Sequence, residues 1–158
     1  MSFIGLKKRV LLVPLFILTL MQGQALAILG EGEDSIERDR AALSGQRGVP
    51  APRTGYRIET VTAPRMTLEE YVDENGKIFA VTWKGKGLPD FSKILGSYFS
   101  EYQEGMNKRR SETRFLRRPL AIQGDHLILQ SWGRRGLLSG RAYLPALFPA
   151  GVTEKEIR

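Results

Sequence analysis

The chain has no cysteine among its 158 residues. That excludes disulfides, a thiolate zinc site, a cysteine nucleophile and a cysteine-borne lipid anchor, so a hydrophobic core alone must hold the fold. Histidine is almost as scarce. His126 is the single one, too few for a metal centre unless carboxylates completed it. Its partner in a serine triad would have to be Ser131 or Ser139, and neither lies on a recognisable strained nucleophile turn. Long apolar runs are missing too: the stretch from Val10 to Met21 is about a dozen residues, short of the roughly 20 that cross a bilayer as a helix. The glycine loops Gly85-Lys86-Gly87 and Gly133-Arg134-Arg135-Gly136 are too short to cradle a nucleotide phosphate and read as turns. Asp73-Glu74-Asn75-Gly76 offers too few ligands for a calcium loop of the EF-hand kind. Glu69 and Glu70 adjoin on a strand and point to opposite faces, while Glu101 and Glu104 share a helix face that reads as solvated. No catalytic residue, metal or cofactor is assigned.

What is present begins with a leader. Lys7, Lys8 and Arg9 precede the apolar stretch, and Ala25-Leu26-Ala27 supplies the small residues that signal peptidase accepts. Residues 1–27 are therefore expected to be a secretory signal peptide, with the periplasm as the destination, otherwise the medium. Three of the 24 basic residues and none of the 17 acidic ones fall in that leader, so the mature charge is +4 rather than the +7 of the whole chain. Such a balance does not single out nucleic acid, which an exported protein seldom meets. No transmembrane helix is expected in the mature chain.

Residues 28–55 read as a short helix followed by a Gly/Pro-rich linker, and residues 56–158 as a single α+β domain. In the helix, Ser35 is the expected cap, and Ile36 and Leu43 share one face. The linker centres on Gly48-Val49-Pro50-Ala51-Pro52. Alternation predicts strands over 56–61, 67–72, 77–83, 126–132 and 137–144. Asn75-Gly76 is suited to the turn of the hairpin between the second and third of these. In the third, Phe79, Val81 and Trp83 are expected to share the core face, with Ile78, Ala80 and Thr82 opposite. Phe91, Ile94, Leu95, Tyr98, Phe99 and Tyr102 form one apolar helical stripe, with Pro89 at the first helical position and Gly105 as the stop. Residues 106–118 resist assignment beyond a short strand at 113–116, and the last residues read as polar and frayed. The order of elements predicts an antiparallel β-sheet of about five strands with one amphipathic helix on one face.

Three blocks carry a resemblance. They are Glu69-Glu70-Tyr71-Val72 through Gly76 to Phe79-Ala80-Val81-x-Trp83-x-Gly85; Leu88-Pro89-Asp90 with Leu95-Gly96-x-Tyr98-Phe99; and Gly140-Arg141-Ala142-Tyr143-Leu144-Pro145 with Leu147 and Pro149-Ala150-Gly151-Val152. In this order and spacing the chain resembles a family of small exported bacterial proteins known only as a domain of unknown function, number 2844. The segment from Asp34-Ser35-Ile36 to Leu43 resembles that family's mature N-terminus, and the turn at Arg134-Arg135 departs from it. The resemblance implies export and an α+β fold, and brings no activity or catalytic residue.

The remaining chemical signal is charge. Lys108, Arg109, Arg110, Arg114, Arg117 and Arg118 fall close together with one acid, Glu112, among them, and Arg134, Arg135 and Arg141 join them if the last hairpin lies alongside. Guanidinium forks match phosphates and carboxylates. The expected function is therefore a non-enzymatic cell-envelope binding or accessory module whose basic surface meets an anionic envelope component or a protein partner. The competing expectations are a carboxylate-based hydrolase of envelope material and a structural subunit of an envelope assembly.

Overall fold

Side chains alternate along the central strands, so a single antiparallel sheet sends one row of residues to each of its two faces. The computed structural model describes residues 29–111, 119–134 and 136–158. The leader, the short strand expected at 113–116, and Arg114, Arg117, Arg118 and Arg135 lie outside the described residues. The fold is α+β. Helix α1 spans Asp34–Ala42; strands follow as β1 (Gln46–Arg47), β2 (Ala51–Arg53), β3 (Tyr56–Ala63), β4 (Met66–Asp73) and β5 (Ile78–Gly85). Helices α2 (Phe91–Ile94) and α3 (Phe99–Ser111) come next, then β6 (Leu120–Gln123), β7 (Ile128–Arg134) and β8 (Leu137–Tyr143). The sheet runs β1-β3-β4-β5-β8-β7-β6, with β2 also on β3.

Among the described residues the sheet has eight strands rather than about five. Two of the additional ones come from the stretch expected to be a linker: Gln46 and Arg47 pair with Thr62 and Val61, and Ala51–Arg53 pair with Tyr56–Ile58. Proline is tolerated there because β2 is an edge strand, where its missing N–H costs no ladder bond. The third, β6, pairs Leu120 with Ser131 and closes the opposite edge.

The apolar stripe after Pro89 does not make one helix. Asp90 is itself the N-cap and accepts from Ser92 N–H (3.2 Å), with Pro89 outside the helix. Gly96 then takes a left-handed φ of +51°, and a short 3-10 turn over 96–98 leads into α3. Gly105 does not stop α3. It allows the helix to lie on β6, since a Cβ there would come within 2.5 Å of Ile122 Cγ2. In α1, Glu33 is the N-cap residue and its side chain makes no capping bond, and Ser35 Oγ instead donates back to Gly32 O (2.7 Å).

Both faces carry a cluster of buried residues. Between the helices and the sheet lie Ile36, Phe91, Ile94 and Leu95 from the helical side and Val61, Leu68, Val72, Val81, Trp83 and Leu129 from the strands. On the far face Tyr56, Tyr71, Phe79, Ala80, Tyr143 and Ile157 form a second cluster beneath the C-terminal segment. Phe79 thus departs from the expected set. Tyr71 pairs with Ala80 but Val72 pairs with Ile78, a β-bulge that inserts Phe79 and turns it to the face opposite Val81 and Trp83. There its ring meets Phe148 edge-on at 5.5 Å.

The chain end is pinned, not frayed. The Tyr71 hydroxyl donates to Arg158 O (3.1 Å) and accepts from Arg158 N–H (3.2 Å). Tyr143 donates to Glu154 Oε2 (2.7 Å), and Arg141 Nη1 donates to the carbonyls of Glu154 (2.7 Å) and Ile157 (3.0 Å). Burial and the Glu154 bond raise the Tyr143 phenol to about 12, so this clasp stays protonated through the neutral range.

Candidate functional site

The basic stretch begins in the last turn of α3, where Lys108, Arg109 and Arg110 complement the negative end of the helix dipole. Lys108 and Arg110 are exposed and form no ion pair with any described residue. Arg109 Nη1 donates to Pro119 O (3.1 Å). Pro119 stands one residue before the Leu120–Ser131 pair, so this contact ties the helix end to the Trp132–Arg134 end of the sheet. Arg134, exposed and paired with Leu137, closes that same end. Arg141 is elsewhere. Its Nε donates to Gln130 Oε1 (2.9 Å) and its Nη1 holds the C-terminal segment, so it is structural. A groove of about 440 Å³ runs along α3, lined by Tyr102, Gln103, Glu104, Met106, Asn107 and Arg110.

His126 and Glu101 are joined by the fold, which the sequence does not foretell. Glu101 Oε2 accepts from the backbone N–H of His126 and of Leu127 (both 3.0 Å), and Oε1 lies 2.8 Å from His126 Nδ1. Glu101 is therefore the clamp on the turn before β7 rather than a solvated surface acid. Burial opposes its ionisation, but the two backbone donors and the imidazole outweigh that and hold its pKa below the usual value.

Glu69 and Glu70 do point apart. Glu69 accepts from Thr82 Oγ1 (3.2 Å) on the face of the C-terminal segment. Glu70, 1% exposed, faces α1, where Glu59 (1%) is its cross-strand partner and Asp39 (3%) comes down from the helix. Three acids therefore meet in the interior. Glu59 is compensated by Arg47 and Arg57, at 3.0 and 3.1 Å, and Arg57 also pairs with Glu33. Neither oxygen of Glu70 meets a donor, because the neighbour it faces, Asp39, is another acid. That contact becomes a hydrogen bond only when one of the two carries a proton. Desolvation, then Asp39, then the Glu59 charge push the Glu70 pKa up to about 10, with Arg47 opposing. The signal for this cluster is visible in hindsight. Leu68-x-Glu70-x-Val72 sets an acid between two buried residues of one strand face.

Among the described residues no group of His, Asp and Glu side chains is placed to hold a metal ion, and no helix is long and apolar enough to cross a membrane. The two tryptophans separate. Trp83 is core, 2% exposed, whereas Trp132 is 44% exposed and lines a shallow groove of about 390 Å³ on the sheet.

Fold and site together define a small α+β protein: a two-faced antiparallel sheet, a sealed acid cluster and a basic helix end. The chain belongs to the family described as "Protein of unknown function (DUF2844)", which it matches over residues 25–157. Neither the curated proteins nor the solved structures contain a significant match to it.

Proposed function

We propose that the protein is an exported, non-enzymatic binding or accessory module of the cell envelope, whose contact surface is the basic end of α3. The observation that supports this most is the pair Lys108 and Arg110, exposed and without an ion pair among the described residues, with Arg110 at one end of the α3 groove. Exposed cations left uncompensated attract anions over about a Debye length, and a guanidinium pairs with phosphate or carboxylate in two-point geometry. The ligand class is an anionic envelope component: a lipid head group, a lipopolysaccharide or an acidic wall polymer.

One observation favours the hydrolase reading: Glu70 is an acid held neutral at physiological pH, as a general acid would be. It is weakened by access. Glu59 and Glu70 are almost wholly buried, and the grooves along α3 and beside Trp132 are lined by other residues. A general acid must come within hydrogen-bond reach of its substrate.

The test is sedimentation of the mature chain with envelope fragments at about 0.05 M and about 0.5 M salt. Capture is expected at low salt, falling several-fold at high salt and in Lys108→Gln/Arg110→Gln. Capture indifferent to both salt and the double variant overturns the reading.

A further inference from the structure

The far face of the sheet changes character along its strands. Register groups its residues into rows that cross β4, β5, β8 and β7 in turn. The first row is Tyr71, Ala80, Tyr143 and Ile128, apolar and packed beneath the C-terminal segment. The second is Glu69, Thr82, Arg141 and Gln130, where Arg141 ties down the edge of that segment. The third is Thr67, Lys84, Ser139 and Trp132. Beyond Arg141 the described residues leave the sheet uncovered, and the third row with Glu69, Thr82 and Arg158 lines the open groove of about 390 Å³.

We propose that this open half of the sheet is a saccharide-binding platform. Its composition is neither that of a core nor that of an ordinary solvated strand face. Trp132 is 44% exposed, and Leu137, two residues from Ser139 on the same face, is 54% exposed. Trp132 gives one end of the row an apolar surface, and Leu137 lies one row beyond it, opposite Arg134, outside the lining of the groove. The other polar side chains lining the groove are the hydroxyls of Thr67, Thr82 and Ser139, the Lys84 amine, the Glu69 carboxylate and the Arg158 guanidinium. A pyranose ring has the complementary build: an apolar face of C–H bonds, which stacks on an indole, and a rim of hydroxyls that both donate and accept. The side chains match that rim. Thr67 and Ser139 do both, Glu69 accepts and Lys84 donates, while the Thr82 hydroxyl, 5% exposed, is committed to Glu69.

The groups are also held in place. Glu69 is oriented by the Thr82 hydroxyl (3.2 Å), and all of them sit on paired strands instead of loops. Strands about 4.8 Å apart make the row from Thr67 to Trp132 about 14 Å long, the length of a short oligosaccharide. A few oriented polar groups around one aromatic ring is the pattern of small-ligand sites generally. This site is separate from the basic end of α3: Lys84 and Trp132 serve it, whereas Lys108 and Arg110 do not line it.

The test uses indole N–H resonances of the mature chain. Trp83, whose strand forms part of the groove floor but whose ring packs on Phe91 in the helix-side core, reports on the fold, and Trp132 reports on the platform. The probes are cellotetraose, the tetramer of N-acetylglucosamine and tetragalacturonate. The expected result is a saturable shift of the Trp132 resonance with at least one of them, at about millimolar affinity, while Trp83 stays still. Trp132→Ala should lower that affinity by about tenfold or more, read by calorimetry, with the Trp83 resonance unmoved. Lys84→Met should weaken binding while leaving stability unchanged. No Trp132 shift with any of the three at roughly ten-millimolar sugar overturns the proposal. So does binding undiminished in Trp132→Ala, or a Trp132 resonance that moves with protein concentration alone, which would mean that a second copy covers the face.

Discussion

Replacing Glu70 with glutamine should make the protein more stable at pH 8 than the wild type. Glu70 is buried against Asp39 with no donor at either oxygen, and its pKa is raised to about 10 from an ordinary 4.5. A carboxyl whose native pKa exceeds its unfolded value binds its proton more tightly in the folded state. Its contribution is complete below about pH 4.5 and is lost as pH rises toward 10. Each pH unit in that window removes up to about 1.4 kcal/mol, so the wild type should lose on the order of 3 kcal/mol between pH 6 and pH 8. With a urea slope of about 1.5 kcal/mol/M, the unfolding midpoint falls by nearly 2 M over that interval. The other groups facing Glu70 are Asp39 from α1, Glu59 and its ion partner Arg57 from β3, and Arg47 from β1. His126, held against Glu101 in the turn before β7, is common to both proteins. Glutamine keeps the shape, supplies a donor toward Asp39 and cannot ionise, so its midpoint should change far less. Urea unfolding followed by the emission of Trp83 at pH 6, 7 and 8 measures this. A wild-type midpoint that stays flat or rises, or a Glu70→Gln midpoint that falls as steeply, refutes the reasoning.

Two further substitutions probe the packing. Gly140→Ala puts a Cβ within 2.5 Å of Trp83 Cε2 and 2.6 Å of Gln130 O. It should cost about 1–3 kcal/mol in chemical unfolding, and a neutral result would mean that Trp83 does not lie over β8. Ile157→Ala removes a side chain buried in the far-face cluster. A loss of about 2 kcal/mol or more is expected in thermal unfolding, whereas a frayed chain end would show no change.

Much of the fold is legible in the sequence because it rests on local pattern. Period-two alternation marks β3, β4, β5, β7 and β8 to within a few residues. Asp73-Glu74-Asn75-Gly76 marks the β4–β5 turn, where Gly76 takes φ +78° and Asp73 Oδ1 accepts from Asn75 N–H (2.9 Å) and Lys77 N–H (2.7 Å). The order of strands, helix and strands is enough for the α+β class. Short edge strands such as β1 and β2 are missed because two or three residues carry no period. Gly96 is misjudged because a glycine in a helical pattern reads the same whether it continues the helix or, at positive φ, breaks it.

The sites divide in the same way. Positive charge over residues 108–110 and the presence of two tryptophans are properties of composition, and the sequence determined them by itself. Only tertiary structure decided that Trp83 is core and Trp132 surface, that one bulged residue turns Phe79 to the other face, and that Arg141 clasps the chain end. It alone brought Asp39, Glu59 and Glu70 together from three elements. The physical reason is range. Strand and turn signals are set by neighbours a few residues away, whereas burial, register and the field at a carboxylate depend on what the rest of the chain places beside it.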